Sequence, residues 1–146
     1  MNWQKIGNPF LIALLRSPLH GLLSQNFAVL TLTGRRSGKP VTLPVNYLRN
    51  GEALSIVSFR HRTWWRNLRG GAPVTVQLAG QTRQGHGEVF EDTEAVAAGL
   101  VAFARADPRY ARYYGVTFGT DGQPHTPNLP ALAAERVLVR ITLVSP

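Results

Sequence analysis

Three segments of this 146-residue chain carry residue types that could do chemistry. The first is Gly34-Arg35-Arg36-Ser37-Gly38-Lys39-Pro40, three cations and a hydroxyl inside a glycine-bounded loop. Glycines let a backbone turn and expose its N–H groups, and the cations neutralise phosphate or carboxylate. It is not a P-loop. The spacing is one residue short, Pro40 stands where a Ser or Thr is required, and a strand rather than a helix is expected to follow. The plainer alternative is a solvated turn with incidental charges. The second segment, Phe59–Arg69 (FRHRTWWRNLR), holds four Arg, one His and two adjacent Trp. Adjacent aromatics on a short helix do not both face one core, so one is expected to line a cleft. Arg beside Trp suits planar anionic ligands through stacking and charge, and suits single-stranded nucleic acid equally. A core Trp, a rim Trp and a solvated basic face would explain the pattern without a ligand. The third segment places Tyr110, Tyr113 and Tyr114 on one helical face, either as a core stripe with wet hydroxyls or as a wall for an aromatic substrate.

Other chemistries find no support. The chain has no cysteine, which excludes disulfides, thiolate metal sites and a cysteine nucleophile. His20, His61, His86 and His125 are scattered and lack metal-ligand spacing, so no metal is expected. Gly85-His86-Gly87 is not a dinucleotide fingerprint, because no third Gly or helix follows. Half of the eight acids fall in Glu88–Glu94, where they read as a strand end and a helix cap rather than as half of a general acid/base pair. Catalysis by this chain would therefore be borrowed from a cofactor.

The elements that would position these groups are mostly strands. Phe27–Thr33, Val41–Leu48, Ala53–Phe59, Val74–Leu78, Thr82–Phe90 and Val137–Val144 are β-rich or alternating, and Asn50-Gly51 is a strong hairpin signal. Short helices are predicted over Trp64–Arg69, from a cap at Asp92 or Thr93 to Arg105, and from Asp107-Pro108 to Tyr114. Residues 115–134 read as a long loop. Residues 8–24 place Phe10, Leu11, Leu14, Leu15, Leu19, Leu22 and Leu23 on one helical face, split at Pro18 after a capping Ser17. There is no βαβ alternation, so an antiparallel barrel or sandwich with peripheral helices is expected, in one domain spanning 1–146, with a helical segment over 1–24 and the barrel over 25–146.

Charge is lopsided. Residues 1–73 hold ten basic residues against Glu52 alone, whereas residues 74–146 are nearly balanced. Such a half suits a polyanion, an anionic membrane face or a phosphate-bearing small molecule. Seven of the ten cations lie in Arg35–Lys39 and Arg60–Arg69. Clusters this short fit one anionic cofactor better than a long nucleic-acid backbone. The early apolar run Phe10–Leu15 is too short for a membrane span, and no convincing cleavage site follows, so the expected location is cytoplasmic, with the N-terminal helix as a candidate peripheral membrane contact.

Together, NPF, LLRSPLHGLLS, LTLTGRRSGKPVTLPVNYLRNG, TWWRNLRGGAPVTVQLAG and the tyrosine helix resemble the deazaflavin-dependent nitroreductase family over residues 8–114, and more weakly over the last strand. The resemblance implies a mainly β (α+β) split β-barrel like that of pyridoxamine-phosphate oxidases, often dimeric, and coenzyme F420. It implies cofactor contacts from Arg35, Arg36, Ser37 and Lys39 to the anionic tail, from Pro44, Val45 and Asn46 to the ring, and from Ser58, Arg60, Trp64 and Asn67. It implies that Tyr110, Tyr113 and Tyr114 border the substrate and are candidate proton donors. The implied reaction moves a hydride from reduced F420 to a quinone, nitroaromatic or activated alkene. The chain departs from the pattern at Val41, where relatives often carry a basic residue, and in a short stretch between Arg60 and Trp64. The alternatives are an FMN- or haem-binding split barrel and a basic module for nucleic acid or anionic membrane.

Overall fold

Short β-rich segments, several with alternating buried and exposed positions, form seven strands, described in a computed structural model over residues 27–144. They are β1 (Phe27–Thr33), β2 (Pro40–Asn46), β3 (Leu48–Asn50), β4 (Ala53–Phe59), β5 (Ala72–Leu78), β6 (Gln81–Phe90) and β7 (Arg136–Leu143). All neighbours are antiparallel, in the order β2-β1-β5-β6-β7-β4-β3. The sheet curls into a split barrel, with β2 also touching β4 across the interior. A 3-10 helix, Trp64–Leu68, joins β4 to β5. Three α-helices complete the described chain: α1 (Thr93–Ala106), α2 (Pro108–Tyr114) and α3 (Leu129–Ala134). The N-terminal helical segment and its membrane contact lie outside the described residues. No helix among the described residues is long and apolar enough to cross a membrane.

The expected strand Val41–Leu48 is two strands. It breaks at Tyr47, so that β2 pairs with β1 while β3 pairs with β4 through the Asn50-Gly51 turn. One continuous segment thereby serves both ends of the sheet, which periodicity within a strand does not reveal. The expected loop 115–134 also contains a helix, α3. Its sequence, Leu-Pro-Ala-Leu-Ala-Ala, carries a proline at the first turn, where a missing N–H costs nothing. Ahead of α3 the chain folds on itself through a Phe118–Pro124 bridge and bonds between Thr117 and Thr126.

Two cores follow from strand parity. Val137, Val139, Ile141 and Leu143 of β7 point into the barrel with Leu30, Leu54, Ile56, Val76 and Trp65. Leu138 points the other way, into a cluster with Val96, Leu100 and Phe103 of α1 and Tyr114 of α2. Gly85 explains why a glycine interrupts β6: a Cβ there would lie 2.7 Å from Ile141 Cγ2 and 3.1 Å from the Thr142 carbonyl oxygen. Helix α1 starts where its sequence says, with the Asp92 carboxylate accepting from Ala95 N at 3.0 Å.

Glu91, at the end of β6, ties the 3-10 helix to the sheet. Its carboxylate receives Arg69 Nε at 3.0 Å and Nη2 at 2.8 Å. Those hydrogen bonds hold the Glu91 carboxyl below its ordinary value. A group with a depressed folded-state pKa stabilises the fold above its unfolded pKa and loses that stabilisation as pH falls through the folded value. Glu91→Gln is therefore expected to lower stability modestly at neutral pH. Denaturant titrations across pH should show the gap from wild type closing on acidification below the ordinary Glu range.

Candidate active site

The basic loop is a β-turn connection between β1 and β2. Gly34 N donates to the Lys39 carbonyl at 2.8 Å and Gly38 N to the Gly34 carbonyl at 2.9 Å. Gly38 sits at φ +68°, in the left-handed region, and nothing crowds the position a Cβ would take. Ser37 Oγ accepts from Lys39 N at 3.1 Å, which fixes the turn from within. Among the described residues, the backbone N–H groups of Arg36 and Ser37 and the side-chain cations of Arg36 and Lys39 have no protein partner. These unpaired donors sit next to two cations. Their chemistry fits the phosphate and carboxylates of an anionic cofactor tail.

The second segment holds that loop in place. Arg35 N donates to Asn67 Oδ1 at 2.8 Å, and Arg35 Nη1 donates to the Arg66 carbonyl at 3.2 Å. Asn67 Nδ2 donates to the Trp64 carbonyl at 2.9 Å, closing its own helix turn. Trp64 Nε1 in turn donates to Ser58 Oγ at 3.0 Å, at the end of β4. The spacing Trp-x-x-Asn thus links the loop to β4 through one turn of 3-10 helix. Asn67→Ala removes both Asn67 bonds at once. Each is worth about 0.5–1.5 kcal/mol net, so the melting temperature is expected to fall by several degrees and anion affinity at the loop to fall with it; thermal melts with and without ligand check both.

Pro44, Val45, Asn46, Ser58 and Trp64 come together along one cleft, with Arg62, Tyr113, Tyr114 and Arg136. Val45 is also part of the barrel core. Strand β2 connects the two regions. Pro40 follows the basic loop, and Pro44 lines the cleft, about 13 Å further on at ~3.3 Å per residue. A flat ring at one end and an anionic tail at the other match that layout.

The three tyrosines divide. Tyr114 is 6% exposed and packs edge-on against Phe103 while bordering the cleft. Tyr113 is 68% exposed at its mouth. Tyr110, also against Phe103, lines an adjoining open pocket that shares Phe27, Asn46 and Tyr113 with the cleft. Burial pushes the Tyr110 and Tyr114 hydroxyls above their ordinary value. Both remain neutral phenols, able to donate a hydrogen bond and unsuited to act as bases.

Arg60 is placed differently from a ligand-facing cation. Its guanidinium donates to the backbone carbonyls of Ala134 (3.1 Å), Glu91 (2.7 Å) and Arg136 (3.1 Å). It fastens the end of β4 to α3 and β7, and lies away from the main cleft. Arg62, Arg136, Phe27 and Phe59 line the cleft and were not expected there. Arg62 belonged to a segment recognised as basic. Arg136 gave a weaker signal: it starts an alternating strand, opposite in parity to Val137 and Val139. Among the described residues no group of His, Cys, Asp and Glu could hold a metal ion.

Residues 18–121 match the F420H(2)-dependent quinone reductase family. Among curated proteins none matches the sequence. An F420-H2 dependent reductase (FDR-A) superposes with a TM-score of 0.54 at 18% identity, covering 80% of this chain and 94% of that one. The haem storage protein HutZ from Vibrio cholerae gives 0.55 at 13% identity over 90% and 92%. A Listeria innocua protein solved as a candidate pyridoxamine 5'-phosphate oxidase gives 0.52 at 15% identity over 90% and 94%. At these identities the structural likenesses establish the split-barrel fold, while the family match spans most of the sequence: the chain belongs to the F420H(2)-dependent quinone reductases, a family of oxidoreductases that use F420.

Proposed function

We propose that this chain reduces quinones, or related electron-poor acceptors such as nitroaromatics and activated alkenes, at the cleft between β2, β4, the 3-10 helix and α2. The observation that carries this is the layout of β2, with the partner-free N–H groups of Arg36 and Ser37 and the cations of Arg36 and Lys39 at its start and the cleft at its end. Arg36, Lys39 and the N–H groups of Arg36 and Ser37 hold the anionic tail; Arg35 and Asn67 keep that loop in register. Pro44, Asn46 and Trp64 flank the ring system. Bound F420, when reduced, supplies a hydride. Tyr113 and Tyr114 border the acceptor and offer hydrogen bonds to it, and the cleft fixes its distance and angle for reaction. Among the described residues no carboxylate lines the cleft, so solvent or a tyrosine hydroxyl provides the proton.

A store for haem or flavin is the second reading, favoured by the likeness to HutZ. Anaerobic mixing of the chain, reduced F420 and a soluble benzoquinone separates the two. The proposal predicts catalytic recovery of the oxidised cofactor's fluorescence with hydroquinone formed in equal amount. Binding without turnover on any quinone, nitroarene or enone would contradict it.

A further inference from the structure

The cleft contains a buried cation that the binding of an anionic tail does not use. Arg136, the first residue of β7, keeps its side chain 8% exposed. Its guanidinium Cζ lies 4.6 Å from the Phe59 ring centroid and 5.7 Å from that of Tyr114. Arg136 Nη1 donates to the Leu132 carbonyl at 2.9 Å. The nearest carboxylate, from the largely exposed Glu135, is 3.9 Å away. The guanidinium carries five N–H donors, so most of its edge has no protein acceptor among the described residues, and Arg136 is one of the residues that line the cleft.

Such a cation is costly for a fold. A buried charge with one weak ion pair usually gains nothing over an apolar side chain of similar volume. Its value must lie in something that turns negative beside it. Both rings lie within cation–π range of the guanidinium, and its hydrogen bonds to a ligand would run through its planar edge. Arg62 also lines the cleft but is exposed, where solvent and salt screen it.

We propose that Arg136 is the electrostatic catalyst of the reaction, donating to the carbonyl oxygen of a conjugated acceptor as that oxygen takes on negative charge. This rests on the proposed reductase reading of the cleft. In the step, a C–H bond forms between the transferred hydride and the acceptor carbon β to the carbonyl. The C=C π pair shifts, the C=O π pair moves to oxygen, and the resulting oxyanion lies against the Arg136 edge. The acceptor gains two electrons and the reduced cofactor loses two. One proton from solvent and, for a quinone, tautomerisation give the hydroquinone. The preferred substrates are therefore acceptors that pass through an oxyanion, quinones and enones above all.

Two measurements test this, one of them without cofactor. In the chain alone, 4-nitrophenol reports charge in the cleft, because its anion absorbs visible light. Opposite charge at close range lowers an acid's pKa by about 1–3 units. Bound nitrophenol is expected to ionise at a pH at least about one unit lower in wild type than in Arg136→Met, with Arg136→Lys between them. In turnover, Arg136→Met is expected to lower kcat with a quinone about 10²–10³-fold, the effect of removing one oxyanion donor, with F420 affinity unchanged. Should Arg136→Met not fold, Arg136→Lys carries the test through a kcat at least about tenfold below wild type, the loss of the fork being 1.4 kcal/mol or more. Equal nitrophenol ionisation in the folded variants, or kcat within twofold of wild type, would overturn the assignment. Failure of the wild-type chain to bind F420 would instead sink the reductase reading, and the nitrophenol comparison would still decide the charge at Arg136.

Discussion

Arg36→Ala combined with Lys39→Ala is expected to weaken F420 binding on the order of 100-fold while leaving the melting temperature unchanged. Each side chain can make a hydrogen bond to a charged acceptor, worth about 1.5–3 kcal/mol, and a tenfold change in affinity is about 1.4 kcal/mol. Both residues are exposed, so solvent screening places the expected loss near the lower end of the sum. The same exposure explains why the fold is indifferent to them: neither bonds to any described residue through its side chain. Fluorescence titration at two salt concentrations checks the claim. The wild-type affinity should fall with salt, and the double variant should show a shallower slope. A double variant with unaltered affinity would put the cofactor tail elsewhere.

Trp65→Ala should produce the largest stability loss of any single change discussed, about 3–5 kcal/mol for a fully buried large aromatic, with a melting temperature lower by roughly 10 °C or more. Trp65 lies in the barrel core, and the guanidinium of Arg69 covers it at 5.0 Å from the ring centroid. Its Nε1 is buried without a hydrogen-bond partner in the described structure. Trp65→Phe, which removes that N–H along with some volume, should therefore cost much less than Trp65→Ala. The neighbouring Trp64 should behave in the opposite way. Trp64→Phe removes the donor to Ser58 and reshapes the cleft wall, so turnover should drop more than stability. Chemical denaturation and steady-state kinetics on the same preparations separate the two tryptophans.

That separation also shows what sequence could and could not say. Two adjacent tryptophans implied one in the core and one at a cleft; Trp64 does line the cleft, but both are buried members of the same barrel core, which the expectation did not allow. β4 has a buried and an exposed face and announces itself by alternation, whereas β1 is buried along nearly its whole length and was legible from its β-rich composition and the glycine that follows it. The break at Tyr47 was not, because it is set by which neighbours the strand pairs with, and pairing is a long-range property. Helix α3 was hidden among turn-forming residues. The basic loop was visible as a cluster of cations between glycines. Arg60 and Arg136 were beyond reach for a related reason: both are arginines near strand ends, and only tertiary placement commits one to backbone carbonyls and aims the other at the cleft. The lopsided charge, finally, allowed a polyanion, an anionic membrane face or a phosphate-bearing small molecule, and its clustering favoured a single anionic cofactor; the loop donors and the cleft joined by β2 suit such a molecule, with an anionic end and a flat end.

Titration of the purified chain with F420, followed by fluorescence, tests the cofactor assignment most directly. Saturable binding at micromolar concentrations, tighter than FMN and weakened by the Arg36 and Lys39 substitutions, is the expected result. No binding of F420 in that range, together with tight binding of FMN, would contradict it.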